Sequence, residues 1–253
     1  MTLLFDGSFK ATDYWIGIHE PFGVWTGFSC VPQPDSLVVI AASILPGNRT
    51  GWVGKFKIEA SADYDCSGEQ HNQITLRPNG IPSMYEEVWY GWSQMISGVW
   101  PDAPIYGVGF GESYYYVDEG TLPNAGLKIG SGQTNNRPEL TINRTFYQLT
   151  GHDYQLDVWE DWMFHVLWRQ NETGYLEIYK NGILIWSKYN FATKTTSYGD
   201  FGHKIGLYRG DIAHGAEYTQ IVYILDAKIG TTREDVDAAT CPPPLCDFTI
   251  TQL

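Results

Sequence analysis

The chain has 253 residues, 15% of them aromatic and 18% charged, and a formal net charge of −13. So acidic a chain repels phosphate backbones and offers no polybasic run to an anionic membrane, and no stretch approaches the roughly 18 apolar residues of a membrane-spanning helix; the expectation is no nucleic-acid and no membrane partner. Ten Trp, 17 Tyr and 11 Phe, spread along the chain, read as one large-cored domain over residues 1–240 and leave no stretch with the composition of a linker or a disordered segment.

The opening, MTLLFDGSFK, has neither a basic start nor an apolar core of signal-peptide length. The expectation is an extracellular protein whose leader has been removed, or one carried in a virus particle. Residues 55–61 (KFKIEAS) alternate, Phe56, Ile58 and Ala60 against Lys55, Lys57 and Glu59, the period of a half-buried strand. Residues 87–96 (EVWYGWSQMI) are aromatic and rich in strand formers. Residues 162–169 (WMFHVLWR) put Phe164, Val166 and Trp168 on one face and His165, Leu167 and Arg169 on the other; among core aromatics, His165 reads as structural. Residues 175–179 (YLEIY) lead through Lys180 to Asn181-Gly182 and on to ILIW at 183–186. Asn-Gly between two apolar runs is the strongest short hairpin signal, because both residues tolerate positive φ. Residues 220–229 (QIVYILDAKI) predict a long strand with Ile221, Tyr223, Leu225, Ala227 and Ile229 on one face, and TREDVD at 232–237 predicts one helical turn. No segment carries a helical period over a dozen residues. Many short strands with Gly, Pro and Asn turns predict an all-β sandwich or jelly roll.

Residues 241–253, with their Pro-Pro-Pro run, read as a tail that packs on the domain or meets a partner. Cys30, Cys66, Cys241 and Cys246 fit no zinc spacing. Bridges Cys241–Cys246 and Cys30–Cys66, or buried free thiols, are the alternatives. Asn48, Asn143 and Asn171 stand in N-x-S/T triplets, which matter only in a eukaryotic secretory setting.

Several chemistries are excluded. There is no G-x-S-x-G elbow, phosphate-binding loop, dinucleotide fingerprint or H-E-x-x-H. A retaining glycosidase needs two carboxylates about 5–5.5 Å apart, which on one strand means acidic residues at i and i+2 or i+4. The adjacent pairs Glu86-Glu87 and Asp118-Glu119 do not supply that, which disfavours glycoside hydrolysis without excluding it, since carboxylates from separate strands can still converge.

Three ordered segments carry a resemblance: YEEVWYGWSQ at 85–94, WMFHVLWRQNETGYLEIYKNGILIW at 162–186, and HKIGLYRGD at 203–211 followed by YILDAKIG at 223–230. In this order and spacing they resemble the heparin-lyase-I-like and glucuronan-lyase-like polysaccharide lyases, over roughly residues 50–237. The resemblance implies a concanavalin-like β-jelly roll of two antiparallel sheets, with an acidic, uronic-acid-containing polysaccharide lying across the concave one and cleaved by β-elimination. That reaction needs a group to neutralise the uronate carboxylate, a base for the C5 proton and an acid for the leaving oxygen.

GHKIGLY at 202–208 is similar to the Y-F-K-x-G-x-Y pattern of the alginate-lyase-type jelly rolls, keeping Lys204, Gly206 and Tyr208. These sit at i, i+2 and i+4 and so share a strand face. The resemblance implies Tyr208 as catalytic tyrosine and Lys204 as a substrate-carboxylate contact, with Arg209 and His203 adding positive charge. Where the lyases show R-x-E-L, this chain reads HNQI at 71–74, so His71 and Gln73 take the neutralising positions, with Arg77 further along. Where the lyases show Q-x-H, residues 106–116 read YGVGFGESYYY. The Gln and His are missing, and Glu112, Tyr114, Tyr115 and Tyr116 are left to line a groove. Related jelly rolls often hold a structural calcium ion; Asp226 matches its position and Asp6 can join it, and no other cofactor is required. Two expectations follow. One is a lyase on a uronate polysaccharide, with Tyr208, His71 and Gln73 as its catalytic set. The other is a non-catalytic carbohydrate-binding or virion decoration or fibre protein that keeps the fold, assembled as a homo-oligomer or in a larger particle.

Overall fold

In the computed structural model the residues described are 3–7, 24–26, 37–59, 70–77, 86–98, 108–116, 126–131, 138–142, 145–193, 200–209 and 219–237. The four cysteines, Ala60, Asn143 and the 241–253 tail lie outside them.

The strands are β1 (Leu3–Asp6), β2 (Val24–Thr26), β3 (Leu37–Ala41), β4 (Trp52–Ile58), β5 (Gln70–Arg77), β6 (Glu87–Gly98), β7 (Val108–Tyr116), β8 (Gly126–Ser131), β9 (Pro138–Ile142), β10 (Thr145–Gln148), β11 (Trp159–Leu167), β12 (Gly174–Lys180), β13 (Ile183–Phe191), β14 (Asp200–Arg209) and β15 (Gln220–Gly230). They form an eight-stranded sheet in the order β13-β12-β11-β6-β15-β4-β3, with β1 also on β15, and a seven-stranded sheet in the order β10-β9-β8-β7-β14-β5-β2. Among the described residues the only helical pieces are two short 3-10 turns, Ala42–Ile44 and Arg233–Asp235. The fold is an all-β jelly roll.

The core lies between the sheets. Among the described residues Trp92, Trp162, Trp168, Tyr90, Phe56 and Phe164 are its largest fully buried side chains, from β4, β6 and β11 of the eight-stranded sheet and from the residue that follows β11. Leu140, Ile205 and Leu207 reach it from the other sheet. Phe56 with Ile58, and Phe164 with Val166 and Trp168, bury the faces their alternation predicts. The hairpin forms where Asn-Gly predicts it. Asn181 and Gly182 take φ 51° and 78°, and the Asn181 N–H donates to the Asp161 carbonyl at 2.7 Å. The predicted helical turn at 232–237 is the Arg233–Asp235 3-10 turn; the Asp235 carboxylate accepts from the Thr231 and Thr232 N–H groups at 3.1 and 2.9 Å.

One expectation is corrected. The face predicted for β15 breaks at Asp226, whose φ is 55° and around which the register against β6 shifts between Leu225 and Lys228. An extra residue in a strand reverses its alternation. Ala227 and Ile229 therefore enter the main core with Val222 and Ile224. Tyr223 and Leu225 instead form a second cluster with Val53, Met95 and Trp159, against which Ile221 packs. Gly47 lies over that cluster; the Pro46 carbonyl accepts from the Trp159 indole at 2.8 Å, and the Arg49 guanidinium reaches both oxygens of Asp161 at 3.0 and 2.9 Å.

Candidate functional site

The seven-stranded sheet carries almost all the residues that the sequence nominates. Ile205 and Leu207 are fully buried, so alternation assigns positions 204, 206 and 208 of β14 to the outer face of that sheet. Directly opposed residues of an antiparallel pair share a face. The register against β5 sets Tyr208 opposite His71, Gly206 opposite Gln73 and Lys204 opposite Thr75. Arg77 lies two positions beyond Thr75 on the same face of β5. On the other side of β14, Lys204 stands opposite Glu112, Gly202 opposite Tyr114 and Asp200 opposite Tyr116. One face thus holds positions 71, 73, 77, 112, 114, 116, 204 and 208. Tyr115, opposite Phe201, takes the alternate face. Opposed Cα atoms in such a ladder are about 4.5–5.5 Å apart, so Tyr208 and His71 stand in adjacent positions although 137 residues separate them in sequence.

His203 and Arg209 fall out of this set. Both take the parity of Ile205 and Leu207 along β14, pairing with Leu76 and Gln70, so the register separates them from the face of Tyr208. Asp6 and Asp226 belong to the other sheet. Asp6 pairs with Lys228, Asp226 sits in the β15 bulge, and the Gly7 N–H donates to the Ala227 carbonyl at 2.8 Å. Among the described residues no group of three or more His, Cys, Asp or Glu is arranged to hold a metal ion.

Two irregularities shape the surroundings of Tyr208. Between Ile205 and Tyr208 the register against β7 shifts, moving from Gly111 to Gly109; Gly206 within it has φ 123°. Unbroken pairing would have set Val108 opposite Tyr208. The register of β7 against β8 also shifts, so Gly109 opposes Gly130 where unbroken pairing would bring Ser131. The row through Tyr208 therefore runs His71, Tyr208, Gly109, Gly130, Glu139 and Gln148, with two positions lacking a Cβ beside the tyrosine.

The register also adds residues that the sequence reading passes over. Lys128 opposes Glu112 on one side and Thr141 on the other, and Thr75 opposes Lys204. The alternation in GLKIGS at 126–131 is the available signal for Lys128. Lys204, Lys128, Arg77 and His71 put cationic residue types on this face beside the acidic positions Asp200, Glu112 and Glu139.

The family model described as polysaccharide lyase matches residues 48–227. No curated protein matches the sequence. Among solved structures, an endo-β-1,4-glucuronan lyase from the fungus Trichoderma reesei superposes with a TM-score of 0.63 at 17% identity, covering 93% of this chain and 98% of that one. A marine alginate lyase from Aplysia kurodai gives 0.63 at 10% identity, covering 92% and 100%. A β-glucanase catalytic domain from Podospora anserina gives 0.62 at 13% identity, covering 92% and 97%. At these identities the likeness is one of fold.

Proposed function

This chain belongs to the polysaccharide lyase family, and we propose that it cleaves a uronic-acid-containing polysaccharide by β-elimination on the outer face of the seven-stranded sheet. The observation that carries the reading is the register that sets Tyr208 opposite His71 and Gln73 opposite Gly206. His71 and Gln73 both present hydrogen-bond donors. They neutralise the uronate carboxylate, which stabilises the enolate that develops when C5 loses its proton. Tyr208 takes that proton as phenolate and returns it as phenol to the departing C4 oxygen, while the C5–H electron pair forms the C4=C5 double bond. Lys204, Lys128 and Arg77 are cations available to a uronate carboxylate on that face, where Glu112 stands between the two lysines and Asp200 and Glu139 also lie. The glycines beside Tyr208 leave room for a sugar ring against the sheet.

The test is incubation with glucuronan, alginate and heparin while following ultraviolet absorbance of the unsaturated product. Product is expected from at least one of them, and Tyr208→Phe is expected to lower the rate by about 10²–10⁴-fold. No unsaturated product from any uronate polymer refutes the proposal. The absence of Gln and His from YGVGFGESYYY at 106–116 favours a second reading, a carbohydrate-binding or virion structural protein that keeps the fold without the chemistry. Uronate binding with no turnover is its signature.

A further inference from the structure

The outer face of the eight-stranded sheet carries a second polar and aromatic surface, and it is fully built. Cross-strand register aligns Trp89, His165, Glu177 and Ser187 in one row, and Glu87, Leu167, Tyr175 and Tyr189 in the next. The rings form a continuous ribbon. Trp89 stacks on His165 with centroids 4.0 Å apart and planes 10° from parallel. His165 meets Tyr175 edge-on at 4.9 Å, Tyr175 meets Tyr189 at 5.8 Å, and Trp89 meets Tyr179 at 5.6 Å. From β6 to β13 the ribbon crosses three strand spacings, roughly 14 Å.

Every ring but the indole is pinned by one of two carboxylates. His165 Nδ1 lies 2.9 Å from Glu177 and its Nε2 3.0 Å from Glu87. The Tyr175 hydroxyl donates to Glu87 at 2.7 Å, the Tyr179 hydroxyl donates to Glu177 at 2.8 Å, and Tyr189 donates to the same carboxylate. Burial and the hydrogen bond to Glu177 push the Tyr179 phenol up to about 12, so it stays a donor at neutral pH. Such a network is unusual for a surface turned to water. It fixes several side chains while surface ion pairs return about 0–1 kcal/mol, and Tyr189 remains half exposed. Rigid, part-exposed aromatic rings lower the entropy cost of binding a ligand.

We propose that this face is a second carbohydrate-binding site, for a neutral polysaccharide rather than a uronate. The exposed polar atoms it offers are chiefly acceptors. The Glu87 side chain is 56% exposed, and the phenol protons are already given to carboxylates. The guanidinium over Tyr179, that of Arg233, is committed to Asp237 at 3.2 Å and to the Gly182 carbonyl at 2.9 Å; Arg169 is paired with Glu86. Acceptors beside flat rings suit the hydroxyls and C–H faces of a neutral glycan, whereas a uronate carboxylate meets two like charges. The site is independent of the elimination chemistry on the opposite sheet.

The test is affinity gel electrophoresis of the whole chain through mixed-linkage β-glucan, xylan and galactomannan, with glucuronan and alginate as comparators. Retardation by at least one neutral polymer is expected. Tyr189→Ala is expected to weaken it at least tenfold while uronate turnover is unchanged, and Glu87→Gln to weaken it less. Unaltered near-ultraviolet circular dichroism establishes that each variant is folded. The proposal is overturned if no neutral polymer retards the protein, or if folded Tyr189→Ala is retarded like the parent. It is equally overturned if Tyr189→Ala loses uronate retention instead. Tyr208→Phe is expected to keep the neutral-glycan retardation, so failure of either site is read without the other.

Discussion

Lys180→Met tests how the β11–β12 end of the sandwich holds a buried charge. The Lys180 and Glu160 side chains are 10% and 3% exposed, and Lys180 Nζ lies 2.8 Å from Glu160 Oε1. The ammonium also donates to the His152 and Asp153 carbonyls at 3.0 Å each and lies 5.2 Å from the Trp162 ring centroid. Methionine keeps the volume and removes the charge. Glu160 then retains only the Gln155 N–H at 3.1 Å and the Trp162 indole at 3.2 Å. Leaving one member of a buried pair uncompensated costs about 3–5 kcal/mol, which at about 2–4 °C per kcal/mol lowers Tm by roughly 6–20 °C at pH 7. Burial already raises the Glu160 carboxyl above its ordinary 4.5, against the pull of Lys180. A carboxyl raised in the fold stabilises in its neutral form: the contribution is complete below 4.5 and is lost as pH rises through the folded value. The deficit of Lys180→Met relative to the parent is therefore expected to shrink as pH falls toward 4. The Lys180→Met/Glu160→Gln double variant is expected to recover most of it at pH 7. Thermal melts across pH read both. A loss under about 1 kcal/mol at pH 7, or a deficit that does not change with pH, refutes the reasoning.

Glu87 and Glu177 carry the opposite sign. The Tyr175 hydrogen bond holds Glu87 below 4.5 against burial; at Glu177 burial pulls upward, but hydrogen bonds from Tyr189, His165 and Tyr179 outweigh it. Their stabilisation is present above pH 4.5 and lost as pH falls through the folded values, so Glu177→Gln is expected to flatten the acid limb of the stability profile, read by urea melts between pH 3 and 7. Gly91→Ala is expected to destabilise by about 1–3 kcal/mol, because an added Cβ falls 2.4 Å from the Val236 carbonyl oxygen; a melt within 1 °C of the parent contradicts this. Gly109→Ala is expected to lower kcat/KM on a uronate polymer by about 10–200-fold, the range for one carbon of misfit against a substrate, with Tm nearly unchanged.

The sequence reveals most where one strand decides the outcome alone. Phe164, Val166 and Trp168 alternate with polar partners, and a period of two is enough to place them in the core. Asn181-Gly182 declares its turn because both residues must take positive φ. The face of β15 is misread because the bulge rests on one Asp226 in the left-handed region, a conformation aspartate accepts but does not announce. His165 is a different case. Alternation sets it opposite Phe164 and Val166 correctly, yet its partners Glu87 and Glu177 come from β6 and β12, so the surface network exists only once three strands are paired.

The candidate site shows the same limit, and what lies beyond it. The spacing within HKIGLY makes Lys204, Gly206 and Tyr208 neighbours on one face. What stands beside Tyr208 depends on β5 and β7, whose pairing belongs to the sheet. With an uninterrupted ladder the tyrosine would have faced Val108, and Gly109 would have faced Ser131. Two successive one-residue shifts replace those contacts with Gly109 and Gly130. Bulges gather beside active sites because they re-aim residues without moving the strands that carry them. Here the effect is to clear side chains from the position next to the proposed catalytic phenol, while His71 on the other flank stays in unbroken register with it. Glycine weakens the strand that holds it, and inside a sheet it marks a bulge or a place where a ligand comes close to the backbone; Gly109 and Gly130 lie at such shifts beside Tyr208. Their concentration beside Tyr208 supports the proposal that the polymer lies there.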